Sequence, residues 1–405
     1  MTDTKINVEV VSNCMCCGSV LEQVFFKQQY PLLTSACSST INVPVLPLAV
    51  AICSSCSHVQ LLQRPNTAAL DFVYQGDYTS VIPNGVIPQA DQMALDCKSF
   101  LDFAFPNGLQ PEDPVLEIGC FDGSFLSLFE GHPLWGVEPN KVGEIAQAQH
   151  GVEVNPVYFE AGLYKDNSVG LVIMRHLIEH VSDPAELLRA CELVLKPHGV
   201  LLIETPNIEH TLENHVIGNF YHQHLHYFTK HSLIQLLNRE GWEVLAHGIR
   251  DFRQFVVCRL NDKKPQKPQI DFYHQYIKDQ FIEFSTYVET LQKNLAAWLA
   301  ANEGLIVIYG ASSIATGIIH LANIPTDRVA YAVDRDPRKQ GKVLPGTDIV
   351  VVAPERLKEG DVSTVLIASD FFKYAILDAI RDEFSDALTK VIFCHPQFEE
   401  IELHK

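Results

Sequence analysis

The sequence predicts a three-part α/β chain: a small cysteine-bearing N-terminal domain followed by two Rossmann-like domains. Three observations carry this. Two Cys-x-x-Cys pairs fall within residues 1–75. Strand-like and helix-like segments alternate over residues 76–260 and again over 261–405. A polar stretch with two prolines, NDKKPQKPQ at 261–269, divides the two series.

The length of 405 residues accommodates two or three domains at about 100–200 residues each. A formal charge of −19, spread along the chain, argues against nucleic acid or anionic lipid as partners. No apolar run approaches the roughly 18–20 residues that span a bilayer. The start, MTDTKINVEV, carries no secretory apolar core. The expected location is therefore the cytoplasm, with no membrane partner.

In the first series PVLEIGC, LWGVEP, VGLVIM and HGVLLIETP are strand candidates. FLSLF and DPAELLRACELVL are helix-like. In the second series a long helix is expected from about Asp271 to Asn302. Strands are expected at GLIVIYGAS, VAYAVDRD, STVLIASD and KVIFCHP.

Cys14 and Cys17 form one pair, Cys53 and Cys56 the other, with 35 residues between the pairs. Four thiolates suit tetrahedral Zn²⁺ and leave no open position for water, so the site is expected to be structural. The plainer alternative is four unrelated buried cysteines. Cys16, Cys37 and His58 are local rivals for a ligand position.

In the first α/β series, Glu117, Gly119, Asp122 and Gly123 surround a strand-to-helix turn. Glycine there lets backbone approach a ligand closely. Glu138, followed by Pro139, ends the next strand 21 residues after Glu117, where an acid can accept both ribose hydroxyls of a nucleoside. The turn is not Gly-x-Gly-x-x-Gly and carries an acid. That favours a ligand with an ammonium group and no phosphate, and S-adenosylmethionine fits. Asp122, or Glu117 through a water, would hold the amino group. Arg175, His176, Glu179 and His180 follow the strand-like GLVIM, and this resembles the His-x-x-Glu-His-type segment that methyltransferases often carry beside the sulfonium. The alternative is a metal site at His176, Glu179 and His180, which lacks a third ligand at helical spacing.

In the second series Gly310 and Gly317 flank a strand-to-helix turn, and Asp334 lies 24 residues after Gly310. Spacing alone makes this a dinucleotide-site candidate. Ser312 and Ser313 at the helix start, with Lys339 and Lys342, would instead hold a diphosphate; the plainer reading is a tight turn and solvated lysines.

Taken with these features, VPVLPLAVAICSSC, EIGCFDGSFL, RHLIEHV, YHQHLHYFT, YGASSIATG and VDRDPRKQGKVLPGTDI resemble the three-domain sugar C-methyltransferases that act on nucleotide-linked deoxy-keto-sugars. The resemblance covers nearly the whole chain. It implies a class I (Rossmann-like) methyltransferase domain between a zinc-binding domain and a substrate-enclosing domain without a redox cofactor. It also implies a monomer. The implied reaction removes a proton beside a ketone, and the enolate carbon takes the sulfonium methyl. The implied base is His224 in Tyr221-His222-Gln223-His224, with Tyr221 lining the pocket and Tyr78, in preference to Tyr74, supporting it.

Two departures stand out. The family's Glu beside the base is Gln223 here, and an amide can orient an imidazole without ionising. The family's Gly-Gly-Ser-Leu-Arg stretch reads DFRQFVV, with only Arg253 surviving. These keep three other readings open: O-methylation or a non-sugar acceptor, a nicotinamide-dependent oxidoreductase using the Gly310 domain, and a non-catalytic binding module. Residue types alone also allow the histidine cluster to be a solvated polar loop.

Overall fold

Four runs of branched aliphatic residues, Val115–Ile118, Leu134–Val137, Val169–Arg175 and Leu195–Pro206, form the centre of a seven-stranded sheet. The structure is a computed structural model that describes residues 5–21, 23–74, 88–261, 273–369, 372–394 and 397–403. Glu153–Asn155, Trp242–Arg250 and Arg253–Leu260 complete this sheet. Counted in chain order its strands lie 3-2-1-4-5-7-6, the seventh antiparallel to both neighbours. The order reverses beside the first strand, so the carboxyl ends of strands one and four open onto one crevice.

FLSLF is expected as an α-helix and instead makes one 3₁₀ turn, Leu126–Leu128. The run sits between Gly123 and Gly131, both with positive φ. That is too short to propagate an α-helix beyond its unfavourable nucleus.

The C-terminal sheet has six strands, Val351–Val352, Val329–Val333, Ile306–Tyr309, Thr364–Ile367, Lys390–Phe393 and Glu399–Glu402 in spatial order. Only the last is antiparallel. The helix Tyr273–Ala301 precedes it and buries Ile277, Phe281, Phe284, Val288, Leu291, Leu295 and Leu299 along one face.

The N-terminal sheet was not expected in detail. Gln23–Pro31, Val45–Ile52 and Val59–Leu61 pair antiparallel, and His226–Tyr227 of the later chain adds the edge strand. One apolar core therefore joins Tyr30 and Leu48, Ile217, Phe220 and Leu225, Phe281 and Phe284, and Ile308 and Ile318. Two glycines allow the closest approach. A Cβ on Gly218 would lie 2.6 Å from the Ile314 nitrogen, and one on Gly317 would lie 3.1 Å from the Ile217 carbonyl. The segment 217–227 is thus clamped between all three parts of the chain.

Candidate active site

The strand-to-turn geometry in the middle sheet follows from two glycines. Gly119 and Gly123 both take φ +76. A Cβ on Gly123 would also lie 2.7 Å from the Ala146 Cβ. Asp122 caps this turn, accepting from the Ser124 nitrogen at 3.1 Å and its hydroxyl at 2.5 Å.

Glu138 is buried and accepts from the Phe121 nitrogen at 3.2 Å and the Asn140 nitrogen at 2.9 Å, which fixes the carboxylate across the crevice. Pro139, beside it, is exposed. Glu117 is 3% exposed, and its Oε2 has no hydrogen-bond partner. Burial, reinforced by Glu204, Asp122 and Glu138 and opposed by Arg175, pushes its carboxyl up to about 8. An orphaned buried carboxyl at the end of strand one is a ready receiver for an ammonium group.

Strand four ends in Arg175, whose Nε donates to Glu204 at 2.5 Å and whose guanidinium lies 4.1 Å from the Phe125 ring centroid. Arg253, the survivor of the divergent stretch, is fully buried and donates to the other oxygen of Glu204 at 3.0 Å and to Asp96 at 3.3 Å. This ionic cluster braces the floor of the crevice. His176 turns the chain with φ +48, uncommon for a residue with a side chain.

His180 lies against the 221–224 loop. Its Nδ1 meets the Gln223 carbonyl at 2.7 Å, and its ring centroid is 5.0 Å from that of His224. A carbonyl only accepts, so Nδ1 carries the hydrogen and Nε2 keeps its lone pair.

The histidines are not a solvated loop. His222, His224 and His226 are all buried. His224 Nε2 and the Tyr221 hydroxyl lie 2.6 Å apart, and the Asn219 carbonyl faces the imidazole. A carbonyl can only accept, so this neighbour favours the tautomer in which Nε2 accepts from Tyr221. Burial, with His180 adding and Glu179 opposing, lowers His224 to about 3, so the imidazole is neutral at neutral pH. A small cavity between Pro206, Thr211, Asn219 and Tyr227 opens beside it.

Gln223 does not point at His224. Its Nε2 donates to the Leu32 carbonyl of the N-terminal domain at 3.0 Å. His222 bonds the Tyr30 carbonyl at 3.2 Å, and His226 bonds His58 at 2.9 Å and the Val181 carbonyl at 3.1 Å. These three side chains hold the loop against the N-terminal sheet. Tyr78 lies outside the described residues.

Asn219 and Thr205 carry no sequence signal that marks them as site residues. Glu179 was legible as part of the His-x-x-Glu-His run; Asn219 acts through its backbone, which no residue type announces.

The four cysteines converge. Cys14 and Cys56 sulfurs are 3.5 Å apart, as are those of Cys17 and Cys53, and all four lie within 4.8 Å. None is in a disulfide. Each knuckle closes on itself, Gly18 N to Cys14 O at 2.7 Å and Ser57 N to Cys53 O at 2.9 Å. The rivals are engaged elsewhere: Cys37 pairs by backbone with Val343, and His58 bonds His226. Cys16 is buried outside the group.

In the C-terminal domain Asp334 accepts from the Ala311 nitrogen at 2.9 Å and pairs with Lys339 at 3.0 Å. In this state the Asp334 carboxylate is already engaged by backbone and by a lysine. Ser312 donates to the Ala368 carbonyl at 3.1 Å. Among the described residues no helix is long and apolar enough to cross a membrane.

A family profile described as a methyltransferase domain matches residues 90–247. This fold and crevice define an S-adenosylmethionine-dependent methyltransferase. A second profile, a C-methyltransferase C-terminal domain, matches residues 273–396. The chain is 23% identical over 338 residues to the C-methyltransferase NovU of Streptomyces niveus, covering 77% of each. Over both α/β regions the chain is therefore similar to C-methyltransferases.

Two further similarities are confined to part of the chain. It is 29% identical over 152 residues to a ubiquinone biosynthesis O-methyltransferase of Pseudomonas aeruginosa, covering 35% of this chain and 57% of that enzyme. The PH0226 protein of Pyrococcus horikoshii has a TM-score of 0.40 at 16% identity, covering 46% of this chain and 99% of that one.

Proposed function

We propose that this enzyme methylates a carbon next to a ketone on a nucleotide-linked deoxysugar, with His224 as the base. The observation that carries the reading is the Tyr221–His224 pair, 2.6 Å apart, with His224 buried. A neutral, fixed imidazole beside a hydroxyl donor is what proton removal from a ketone's neighbour requires. His224 takes the proton at Nε2. Tyr221 releases its hydrogen bond to that nitrogen and offers its hydroxyl to the enolate oxygen. Burial of His222, Gln223 and His224 excludes water from the charge that develops.

S-adenosylmethionine supplies an electrophilic methyl group. Glu138 would hold its ribose hydroxyls. Glu117, whose Oε2 is otherwise orphaned, would hold its amino group, with Gly119 and Gly123 keeping the turn open. The chain is proposed to divide into a metal-binding domain at 1–75, a donor domain at 76–260 and a substrate-enclosing domain at 261–405. In the first of these, Zn²⁺ on Cys14, Cys17, Cys53 and Cys56 fits the sulfur spacing, since bonds of about 2.3 Å set tetrahedral edges near 3.8 Å. Metal analysis is expected to find one zinc per chain; much less, with folding intact, refutes this assignment.

The test of the base is hydrogen exchange. With dTDP-4-keto-6-deoxyglucose in D₂O and no methyl donor, the wild type is expected to exchange a hydrogen beside the ketone. His224→Ala should lower the rate by about 10²–10⁴. Near-normal exchange in that variant rules out His224, and O-methylation predicts no exchange at all.

A further inference from the structure

The turn that faces the base loop contains a polar group that its own segment does not use. Glu179 is 1% exposed, and only one of its carboxylate oxygens is fully engaged. Oε2 accepts from the Thr205 hydroxyl at 2.9 Å. Oε1 has no hydrogen-bond partner and lies 3.5 Å from His176 Nδ1 and 3.9 Å from His180 Nε2. Ligand atoms of Glu179, His180 and His224 all fall within 4.8 Å of one another. The backbone fixes this distance, since the Glu179 carbonyl accepts from the Leu225 and His226 nitrogens at 2.8 and 3.1 Å. Glu179 and His224 are thus tied through the first residues after the base.

The residue beside the base cannot supply a charge. Gln223 is neutral, and its amide nitrogen is spent on the Leu32 carbonyl. A carboxylate in that place would meet a carbonyl oxygen. From the geometry we infer that Glu179 is the anion that supports His224, stabilising the imidazolium formed when the proton is taken. It is a positioning residue and touches neither substrate nor donor. The inference rests on the reading of His224 as the base.

The alternative use of the same cluster is a metal site. Nε2 of His224 is already taken up by the Tyr221 hydroxyl, and this favours the base. The carboxylate stays ionised. Burial works against the charge, and the facing imidazoles of His176, His180 and His224 outweigh it, holding Glu179 down to about 2. The groups facing it are His176 and His180 from its own turn, His224 from the base loop and Thr205 from strand five. Behind His176 stands Glu204, 3.8 Å from Nε2 and paired with Arg175 and Arg253.

The experiment follows the pH dependence of hydrogen exchange on dTDP-4-keto-6-deoxyglucose in D₂O. Glu179→Gln is expected to lower the maximal rate about 10- to 100-fold, leave KM within twofold, and move the acid limb to lower pH, because the base is weaker without the anion. Glu179→Asp should recover part of the rate and the wild-type limb. If Glu179→Gln does not fold, as judged by loss of S-adenosylhomocysteine binding, Thr205→Val replaces it. That change frees Oε2 and should cost several-fold in rate at unchanged KM. An unshifted acid limb with an unchanged rate in the folded variant overturns the inference. No exchange by the wild type, with S-adenosylhomocysteine still bound, overturns the base reading and this inference with it.

Discussion

The two Rossmann-like domains repeat one turn and use it differently. Gly119 N reaches the Val137 carbonyl at 2.7 Å, and Gly310 N reaches the Val333 carbonyl at 2.7 Å. Gly119 has φ +76 and Gly310 φ +107. Each next strand ends in an acid that accepts from the turn: Glu138 from Phe121 N, Asp334 from Ala311 N. The differences are two side chains. Two residues before the glycine stands Glu117 in one domain and Ile308 in the other. Asp334 is neutralised by Lys339, whereas no cation pairs with Glu138 among the described residues. The frame is generic to the fold, and the capacity for an ammonium-bearing nucleoside lies in an unpaired acid and an orphaned carboxyl.

Glu117 sharpens this contrast most. Its carboxyl, pushed up to about 8 by burial, holds a proton at neutral pH in the free enzyme. An ammonium partner favours the ionised form, so donor binding releases that proton and strengthens as pH rises towards about 8. Glu117→Gln should weaken S-adenosylhomocysteine binding about 10- to 100-fold and flatten its pH dependence. Calorimetry in two buffers of different ionisation enthalpy measures both. Stability carries the opposite sign. The folded carboxyl keeps a proton that the unfolded one releases, so wild-type stability falls as pH rises from about 4.5 to about 8, and Glu117→Gln removes that slope.

Gly123→Ala is the next effect in size. Positive φ and the 2.7 Å approach to Ala146 should cost about 1–3 kcal/mol in thermal unfolding and reduce donor affinity. Gly310→Ala, 2.8 Å from the Ala368 carbonyl, should destabilise comparably and leave donor affinity alone. The smallest effect belongs to Lys339→Met. Loss of a partly buried pair should cost about 1 kcal/mol, with S-adenosylhomocysteine affinity within twofold of wild type. A larger loss of affinity would mean that the second frame takes part in donor binding.

Much of this frame was legible in residues. Glu117, Gly119 and Glu138 announce themselves by type and spacing, and the short apolar runs give most of both sheets. The remainder depends on distant partners. His226–Tyr227 is too short to read as a strand and becomes one only because Val59–Leu61 offers an edge. Gln223 beside a candidate base suggests an orienting amide, yet the N-terminal sheet draws it to Leu32. The brief turn at Leu126–Leu128 was misread because apolar content cannot distinguish one turn from three.

The most direct test of the account is calorimetric binding of S-adenosylhomocysteine to wild type, Glu138→Ala and Asp334→Ala. Two hydrogen bonds to a charged acid predict about a 10²-fold or greater loss for Glu138→Ala, with Asp334→Ala unchanged. Equal affinity in Glu138→Ala and wild type, or a loss confined to Asp334→Ala, would contradict the assignment of the donor to the middle domain.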